Sequence, residues 1–349
     1  MEIEQVGVVG AGTMGAGIAQ ALAQAGIQVV LYDVSERVLS AAEERIQRGL
    51  ERMEAPERFS LVRKATVLRR LEGCDAVIEA AVEDLEVKRQ LFTQLDRLLD
   101  PPKLLATNTS SLPVAAIASF TENPDRVVGM HFFNPATVMR LVEVVRGEHS
   151  SEAAVRQAVA LAEALGKTPV RCKDTPGFVA NRVARPFYLT GMRLLEEGRG
   201  TPLDIDRAVR EVGGFRMGPF ELMDLIGLEV NLTITRTIWQ ALGKPDRLQP
   251  RRVQEALVER GCRGRKNACG FYVYGENPPG TLNADLEELV PRLAREPAPP
   301  PELFKAIVGS VAGEARLAAQ EGVASRQDID TAMRLGLNWP RGPFEWEIS

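Results

Sequence analysis

The chain has 349 residues, of which 45% are hydrophobic and 26% are charged. This composition is typical of a globular protein, and the length allows two or three domains with a core that needs no covalent cross-links. With 43 basic and 47 acidic side chains the formal net charge is −4, which excludes the strongly positive surface of a general nucleic-acid or anionic-membrane binder.

The cysteines and the hydropathy pattern indicate a cytoplasmic protein. None of the four cysteines forms a Cys-x-x-Cys pair, and no histidine lies near the last two, so we expect reduced thiols and no metal site. The sequence opens with a strand pattern, so we expect no secretory signal, and no apolar stretch is long enough to span a bilayer. The four cysteines are Cys74, Cys172, Cys262 and Cys269.

The first elements predict a βαβ unit. An apolar run at residues 6–9 ends at Gly10, residues 13–25 are rich in alanine and other helix formers, and a second apolar run at 27–32 ends at Asp33. Strand, helix and strand in this order form the repeating unit of a parallel sheet.

The same alternation continues through the first half of the chain. Helical patterns at 35–53 and 82–99 alternate with short apolar runs, so we expect a Rossmann-type, doubly wound α/β domain over residues 1–176. The further predicted strands are 76–80, 103–107, 126–131, 139–145 and 168–172.

The second half of the chain has a different pattern. Apolar residues recur at helical spacing from Phe178 to about Trp239, which predicts an all-helical C-terminal domain over residues 177–275. A short extended piece is expected at 269–274. Residues 276–301 are rich in proline and glycine and are predicted to be a linker.

An internal repeat follows the predicted linker. Two motifs of the helical domain recur with the same spacing, so residues 302–349 are predicted to be a partial second copy of that domain. The motifs Asp204-Ile205-Asp206 and Gly218-Pro219-Phe220-Glu221 recur as Asp328-Ile329-Asp330 and Gly342-Pro343-Phe344-Glu345.

A dinucleotide-binding motif lies in the first βαβ unit. The sequence Gly10-Ala11-Gly12-Thr13-Met14-Gly15 follows a strand, opens a helix and precedes Asp33 by about 20 residues. The glycines permit a tight turn, a close approach of pyrophosphate and close helix packing, and the helix N-terminus favours phosphate charge. Asp33 would bind the ribose hydroxyls and repel a 2′-phosphate, which favours NAD over NADP. The alternative is a glycine-rich turn that binds nothing.

Only two histidines occur in the chain, His131 and His149. His131 ends an apolar strand, where α/β sheets place their ligands, and is the candidate general base. The alternative for His131 is a hydrogen-bonded histidine of the core. His149 lies between Glu148 and Ser150 in a polar turn and is expected at the surface.

Several motifs in series resemble the 3-hydroxyacyl-CoA dehydrogenase family. They occur in order and with matching spacing over residues 1 to about 275. They are Asn108-Thr109-Ser110-Ser111-Leu112, His131-Phe132-Phe133-Asn134-Pro135, Leu141-Val142-Glu143-Val144, Lys173-Asp174-Thr175-Pro176-Gly177-Phe178-Val179-Ala180-Asn181-Arg182 and Gly218-Pro219-Phe220-Glu221-Leu222-Met223-Asp224.

The resemblance implies NAD-dependent oxidation of a 3-hydroxyacyl-CoA, in fatty-acid β-oxidation or related acyl-CoA catabolism. The family uses a histidine–glutamate dyad, which falls on His131 and Glu143. Ser110 and Asn181 match the residues beside the substrate oxygen. In this mechanism the histidine accepts the hydroxyl proton and the carboxylate orients the imidazole and stabilises its charged form.

The resemblance also places residues at the nicotinamide end of the cofactor. Glu83 and Lys88 match family positions there, and Asn108 is expected to contribute. The alternative for Glu83 and Lys88 is an exposed ion pair on a helix.

Two other functions stay open at this point. A sugar-acid dehydrogenase similar to gulonate dehydrogenase or lambda-crystallin would use the same dyad, and a catalytically silent NAD-binding structural protein would use none of it. The second copy has Lys305 at the position that matches Asn181, so it cannot supply a second active site. We expect residues 302–349 to act as a scaffold, and a homodimer is possible through the helical domain.

Overall fold

The computed structural model describes residues 3–275, 280–290, 293 and 296–346. The chain divides into two compact units, Met1–Phe178 and Val179–Ser349. The division falls two residues after the end of the α/β domain predicted from the sequence. Among the described helices, none is both long enough and apolar enough to cross a bilayer.

The first unit is built on a single eight-stranded sheet with the strand order β3-β2-β1-β4-β5-β6-β7-β8. The first six strands are mutually parallel, whereas β7 runs antiparallel to β6 and β8 runs parallel to β7. The strands are β1 (Gln5–Val9), β2 (Gln28–Tyr32), β3 (Val62–Ala65), β4 (Ala76–Glu79), β5 (Leu104–Thr107), β6 (Val127–Phe132), β7 (Leu141–Arg146) and β8 (Thr168–Lys173).

Helices cover this sheet, as the apolar strand sequences require. All four residues of β4 and of β5 are buried, so both faces of the central strands are covered. One hydrophobic cluster joins alternate strand residues to helices α1, α2 and α5. The helices of this unit are α1 (Thr13–Gln24), α2 (Glu36–Arg52), α3 (Leu85–Leu98), α4 (Val114–Ala118) and α5 (Glu152–Ala164).

Helix α2 illustrates how the sequence specifies these elements. The Ser35 hydroxyl accepts the Val38 N–H and caps the first turn. Leu39, Ala42 and Ile46 recur at helical spacing and are buried, which fixes the face that packs on α1. The predicted Rossmann-type sheet is therefore confirmed, with one strand added at an edge, β3, and with an antiparallel step at β7.

The second unit is mainly helical, as predicted. Its described helices are α6 (Ala180–Val183), α7 (Arg185–Glu196), α8 (Pro202–Gly213), α9 (Pro219–Ile226), α10 (Leu228–Ala241), α11 (Arg252–Glu259), α12 (Asp285–Leu289), α13 (Pro300–Gln320) and α14 (Arg326–Leu337). A small antiparallel pair joins β9 (Tyr272–Val273) to β10 (Thr281–Leu282).

The internal repeat has a common structural basis. Asp206 accepts the backbone N–H of Phe220, and Asp330 accepts the backbone N–H of Phe344 in the same way. In each copy a Cβ at the motif glycine would overlap this aspartate. The repeated Asp and Gly-Pro-Phe-Glu motifs therefore specify the same contact between the aspartate and the backbone of the motif.

A buried ion-pair network joins the second copy to the first. The Arg182 guanidinium binds Glu314 on α13, with Nε 2.7 Å from Oε1, and it also binds Glu321. Arg247 binds the other oxygen of Glu314 at 2.6 Å. Both Arg182 and Glu314 are almost completely buried, so each charge depends on the others for compensation.

The region after α11 differs from the sequence predictions in its cysteines and in its linker. The expectation of four reduced thiols is wrong for Cys262 and Cys269, which form a disulfide across a turn that brings their Cα atoms to 4.7 Å. Part of the predicted linker forms β10 and α12, because Leu286 is buried and β10 pairs with β9. Residues 276–279, 291–292 and 294–295 of that linker lie outside the described residues.

Candidate active site

The turn after β1 has the geometry of a phosphate-binding loop. Gly10 has a φ of +97°, and a Cβ there would lie 2.7 Å from the carbonyl oxygen of Ala80. A Cβ on Gly15 would overlap the carbonyl oxygen of Gly10, whereas the space in front of Gly12 is open. Helix α1 begins at Thr13 without a side-chain cap, which leaves its first N–H groups for an anion.

Asp33 is held against this loop. One oxygen of its carboxylate accepts the Ala11 N–H at 2.9 Å, and the other accepts the Ser35 N–H at 3.0 Å. A cavity of about 610 Å³ extends from the loop past Asp33 between apolar side chains, including Val34 and Val82. The open Gly12, the uncapped helix and the carboxylate beside an apolar cavity fit an adenine dinucleotide.

The candidate dyad is formed across the antiparallel pair β6–β7. His131 and Glu143 lie directly opposite each other in the register, and His131 Nδ1 is 2.7 Å from Glu143 Oε2. Glu143 is fully buried and His131 is 7% exposed. The imidazole also contacts the rings of Phe133 and Phe178, with centroids 4.6 and 5.8 Å away. A carboxylate in this position fixes the orientation of the ring and the tautomer of the neutral imidazole.

The other histidine has no such environment. His149 is exposed, as the sequence predicted. His131 is therefore the one histidine of the chain that combines a buried carboxylate partner with a position at the edge of the sheet.

Glu83 organises the loop that follows β5. Its Oε1 accepts the Thr109 hydroxyl at 2.7 Å, the Ser110 N–H at 2.9 Å and the Ser111 N–H at 3.0 Å. Burial acts to raise the pKa of Glu83, but these hydrogen bonds and the nearby Lys88 cation outweigh it and hold the pKa below its usual value. Glu83 therefore stays ionised and fixes the backbone that presents Ser110.

Asn108 connects this loop to the strand of the dyad. Its side-chain oxygen accepts the Phe132 N–H at 2.8 Å, one residue after His131. Ser110 is exposed on the same loop. The loop that contains Asn108 and Ser110 and the His131–Glu143 dyad thus lie at the same edge of the sheet.

Lys88 lies below the loop, not on an exposed helix face. It is 1% exposed, and its Nζ is 2.7 and 2.8 Å from the two oxygens of Glu79 and 3.4 Å from Glu83 Oε2. The alternative of an exposed ion pair is therefore wrong. Sequence reasoning missed Glu79, although a carboxylate at the end of the apolar run 76–80 was a visible signal.

A second feature missed in the sequence is a basic cavity in the first unit. Arg45, Arg48 and Arg52 line a cavity of about 380 Å³ between α1, α2 and residues 134–138. The spacing of the three arginines places them on one face of α2. Residues 134–138 begin three residues after His131, so the cavity adjoins the segment that follows the dyad.

Asn181 lies in α6 of the second unit. Its backbone carbonyl accepts a hydrogen bond from Arg185 at 2.9 Å. Its predicted role beside the substrate oxygen stays a prediction.

Two family models together match most of the chain. The model described as "3-hydroxyacyl-CoA dehydrogenase, NAD binding domain" matches residues 5–175. The model described as "3-hydroxyacyl-CoA dehydrogenase, C-terminal domain" matches residues 177–274 and also residues 304–347. The second of these stretches falls in the region of the internal repeat.

Individual relatives carry related names. The 3-hydroxyadipyl-CoA dehydrogenase of Escherichia coli is 39% identical, and the alignment covers 99% of this chain and 90% of the relative. The human mitochondrial hydroxyacyl-coenzyme A dehydrogenase is 38% identical over 78% of this chain and 91% of the relative. The crystal structure of 3-hydroxybutyryl-CoA dehydrogenase from Escherichia coli K12 matches with a TM-score of 0.91 at 36% identity, covering 99% of this chain and 91% of that chain.

Proposed function

The chain belongs to the 3-hydroxyacyl-CoA dehydrogenase family of NAD-dependent oxidoreductases, and we propose that it oxidises an (S)-3-hydroxyacyl-CoA to the 3-oxoacyl-CoA with His131 as general base. The observation that supports this most directly is the buried 2.7 Å contact between His131 Nδ1 and Glu143 Oε2. It engages one ring nitrogen and leaves Nε2 to accept the 3-hydroxyl proton.

The proton transfer explains the need for Glu143. As Nε2 takes the proton, the ring becomes an imidazolium in a site where only 7% of His131 is exposed. A fully buried carboxylate stabilises that charge better than water would, because it is already oriented and the local dielectric is low. Ser110 and Asn181 are proposed to hold the reacting oxygens so that C3 faces the cofactor.

When bound, NAD would supply the hydride-accepting chemistry of the reaction. Gly10, Gly12 and Gly15 would hold its pyrophosphate at the start of α1, together with Thr13 and Met14, and Asp33 would hold the adenine ribose. Glu83 and Asn108 would order the nicotinamide end of the site through the loop that contains Ser110.

The basic cavity supports a coenzyme A thioester as substrate. Coenzyme A carries several phosphate charges, and the guanidinium groups of Arg45, Arg48 and Arg52 are suited to them. A small polyol acid has no phosphate to place there. On this basis and on the names of the relatives, we propose a role in fatty-acid β-oxidation or related acyl-CoA catabolism. The cytoplasmic location expected from the sequence stays a prediction.

We propose that residues 302–349 are a scaffold for the helical domain. Helix α13 packs against α7 and α8, and its buried Glu314 binds Arg182 of the first copy. This packing supports a structural role and leaves a homodimer through the helical domain as a second arrangement.

The test of the reaction is an assay with acetoacetyl-CoA and NADH, followed by the loss of NADH absorbance. Wild-type protein should reduce the thioester, and His131→Gln should lower kcat by orders of magnitude with little change in the Kd for NADH. His149→Gln is the matched control and should keep full activity. Near-normal turnover by His131→Gln, or oxidation of a sugar acid by NAD in preference to a 3-hydroxyacyl thioester, would contradict the proposal.

A further inference from the structure

Glu79 is a fully buried carboxylate at the end of β4 that none of the proposed chemical steps uses. Its Oε1 accepts the Ala81 N–H at 2.7 Å, and its Oε2 accepts the Thr107 hydroxyl at 2.7 Å. Both oxygens also bind Lys88 Nζ, at 2.7 and 2.8 Å. Burying an ion pair this completely is costly, and an apolar pair of similar volume would suit a sheet better.

Each contact of Glu79 leads to a segment of the site. The Ala81 contact fixes the backbone against which Gly10 packs, since a Cβ at Gly10 would lie 2.7 Å from the carbonyl oxygen of Ala80. The Thr107 contact fixes the last residue of β5, directly before the loop of Asn108 and Ser110. One carboxylate thus connects the glycine-rich turn with the loop that presents Ser110.

The Lys88 contact determines the position of Glu83. Lys88 Nζ is held closely by Glu79 and lies farther, at 3.4 Å, from Glu83 Oε2. Glu83 therefore keeps its other oxygen for the N–H groups of Ser110 and Ser111. Without the charge of Glu79, the buried ammonium would have Glu83 as its nearest described carboxylate and would draw it away from those N–H groups.

We propose that Glu79 is a positioning residue of the reaction, which acts through Lys88 and Glu83 to hold the Ser110 loop in its productive geometry. This inference rests on the proposed dehydrogenase function for its effect on turnover. Its effect on the loop itself does not depend on that function.

The experiment compares Glu79→Gln with wild type in three measurements. Hydrogen exchange of the peptide that contains Ser110 and Ser111 should speed up about tenfold or more, with the exchange of β2 and β8 unchanged. The kcat for acetoacetyl-CoA should fall by about one to two orders of magnitude, the scale expected from a small misplacement of a reacting group. The KM for the thioester should change by less than about threefold, because the basic cavity is untouched.

Two further variants keep the test decisive. Glu86→Gln is the matched control, since Glu86 is an exposed carboxylate on α3, the helix that contains Lys88, and it should behave as wild type. If Glu79→Gln does not fold, Thr107→Val removes the hydroxyl that donates to Glu79 and that also accepts the Thr109 N–H at 3.3 Å, and it should produce a smaller change in the same direction.

The outcomes separate the two proposals. Unchanged exchange at Ser110 and Ser111 in Glu79→Gln, or faster exchange throughout the sheet, would overturn the positioning role. A wild-type protein that does not reduce any 3-oxoacyl thioester would instead overturn the proposed function, while the exchange measurement would still decide the role of Glu79.

Discussion

Replacing Glu143 by glutamine removes a charge from the dyad and preserves its shape. The contact distance of 2.7 Å between Glu143 and His131 places the centres of carboxylate and imidazolium charge about 4 Å apart. With an effective dielectric constant of about 20, two opposite charges at that distance attract by about 4 kcal/mol. Glutamine retains a neutral hydrogen bond of about 1 kcal/mol, so the net loss is about 3 kcal/mol.

This loss appears in the transition state, because the imidazolium forms only as the proton is transferred. A barrier higher by about 3 kcal/mol lowers kcat by about two orders of magnitude. The assay is the oxidation of 3-hydroxybutyryl-CoA by NAD, followed by NADH absorbance at several pH values. The Kd for NAD, measured by fluorescence, should stay within about twofold, because Glu143 lies on β7, four strands away from β1 and the glycine-rich turn in the sheet order.

Glu148→Gln is the control for this experiment, since Glu148 is an exposed carboxylate in the turn after β7. It should leave kcat unchanged. A kcat for Glu143→Gln within about threefold of wild type would refute the assignment of a charged dyad. An equal loss in both variants would indicate a nonspecific effect of charge and would refute it as well.

Three other changes test separate parts of the structure. Asp33→Ser removes the carboxylate that binds the Ala11 N–H. It should raise the KM for NAD by about tenfold and reduce the preference for NAD over NADP. An unchanged preference would count against a contact between Asp33 and the adenine ribose. Arg182→Met leaves Glu314 with fewer partners in a buried site and should destabilise the protein by about 3 kcal/mol. Calorimetry should show this loss as a fall in Tm of roughly 6–12 °C, and the Kd for NAD should stay unchanged. Burial, reinforced by Glu221, raises the pKa of Asp206 to about 8, so the folded protein retains a proton that the unfolded chain releases near pH 4. The stability that the protonated Asp206 contributes is therefore full at low pH and is lost as the pH rises towards 8. The decline of Tm between about pH 5 and pH 8 should be shallower in Asp206→Asn. Equal slopes in the variant and in wild type would refute the raised pKa of Asp206.

Local patterns in the sequence predicted most of the first unit. The apolar runs around the glycine motif predicted β1, α1 and β2 within one or two residues, because these elements are specified by spacing and by the backbone freedom of glycine. Strand β3 was missed since it lies at the sheet edge, where Arg63 and Lys64 are exposed and only the end residues are buried. An edge strand of four residues with two charges has no apolar run to detect.

The parts of the site that depend on tertiary contacts were harder to predict from the sequence. The sequence pointed to His131 and Glu143, but not to their register across an antiparallel pair. It indicated Glu83 and Lys88 through the family resemblance, yet it gave no sign that Glu79 binds Lys88. The disulfide between Cys262 and Cys269 also escaped prediction, because a turn decides whether two nearby cysteines can meet.

The opposition of His131 and Glu143 makes the dyad sensitive to strand slippage. Successive side chains on a strand point to opposite faces, so a shift of β7 by one residue would turn Glu143 away and bring Val142 or Val144 opposite the imidazole. The segment 133–140 that joins the two strands can therefore change in sequence or length only if the ladder keeps its alignment. Substitutions within that connection leave His131 and Glu143 opposite each other as long as the pairing of β6 with β7 is kept.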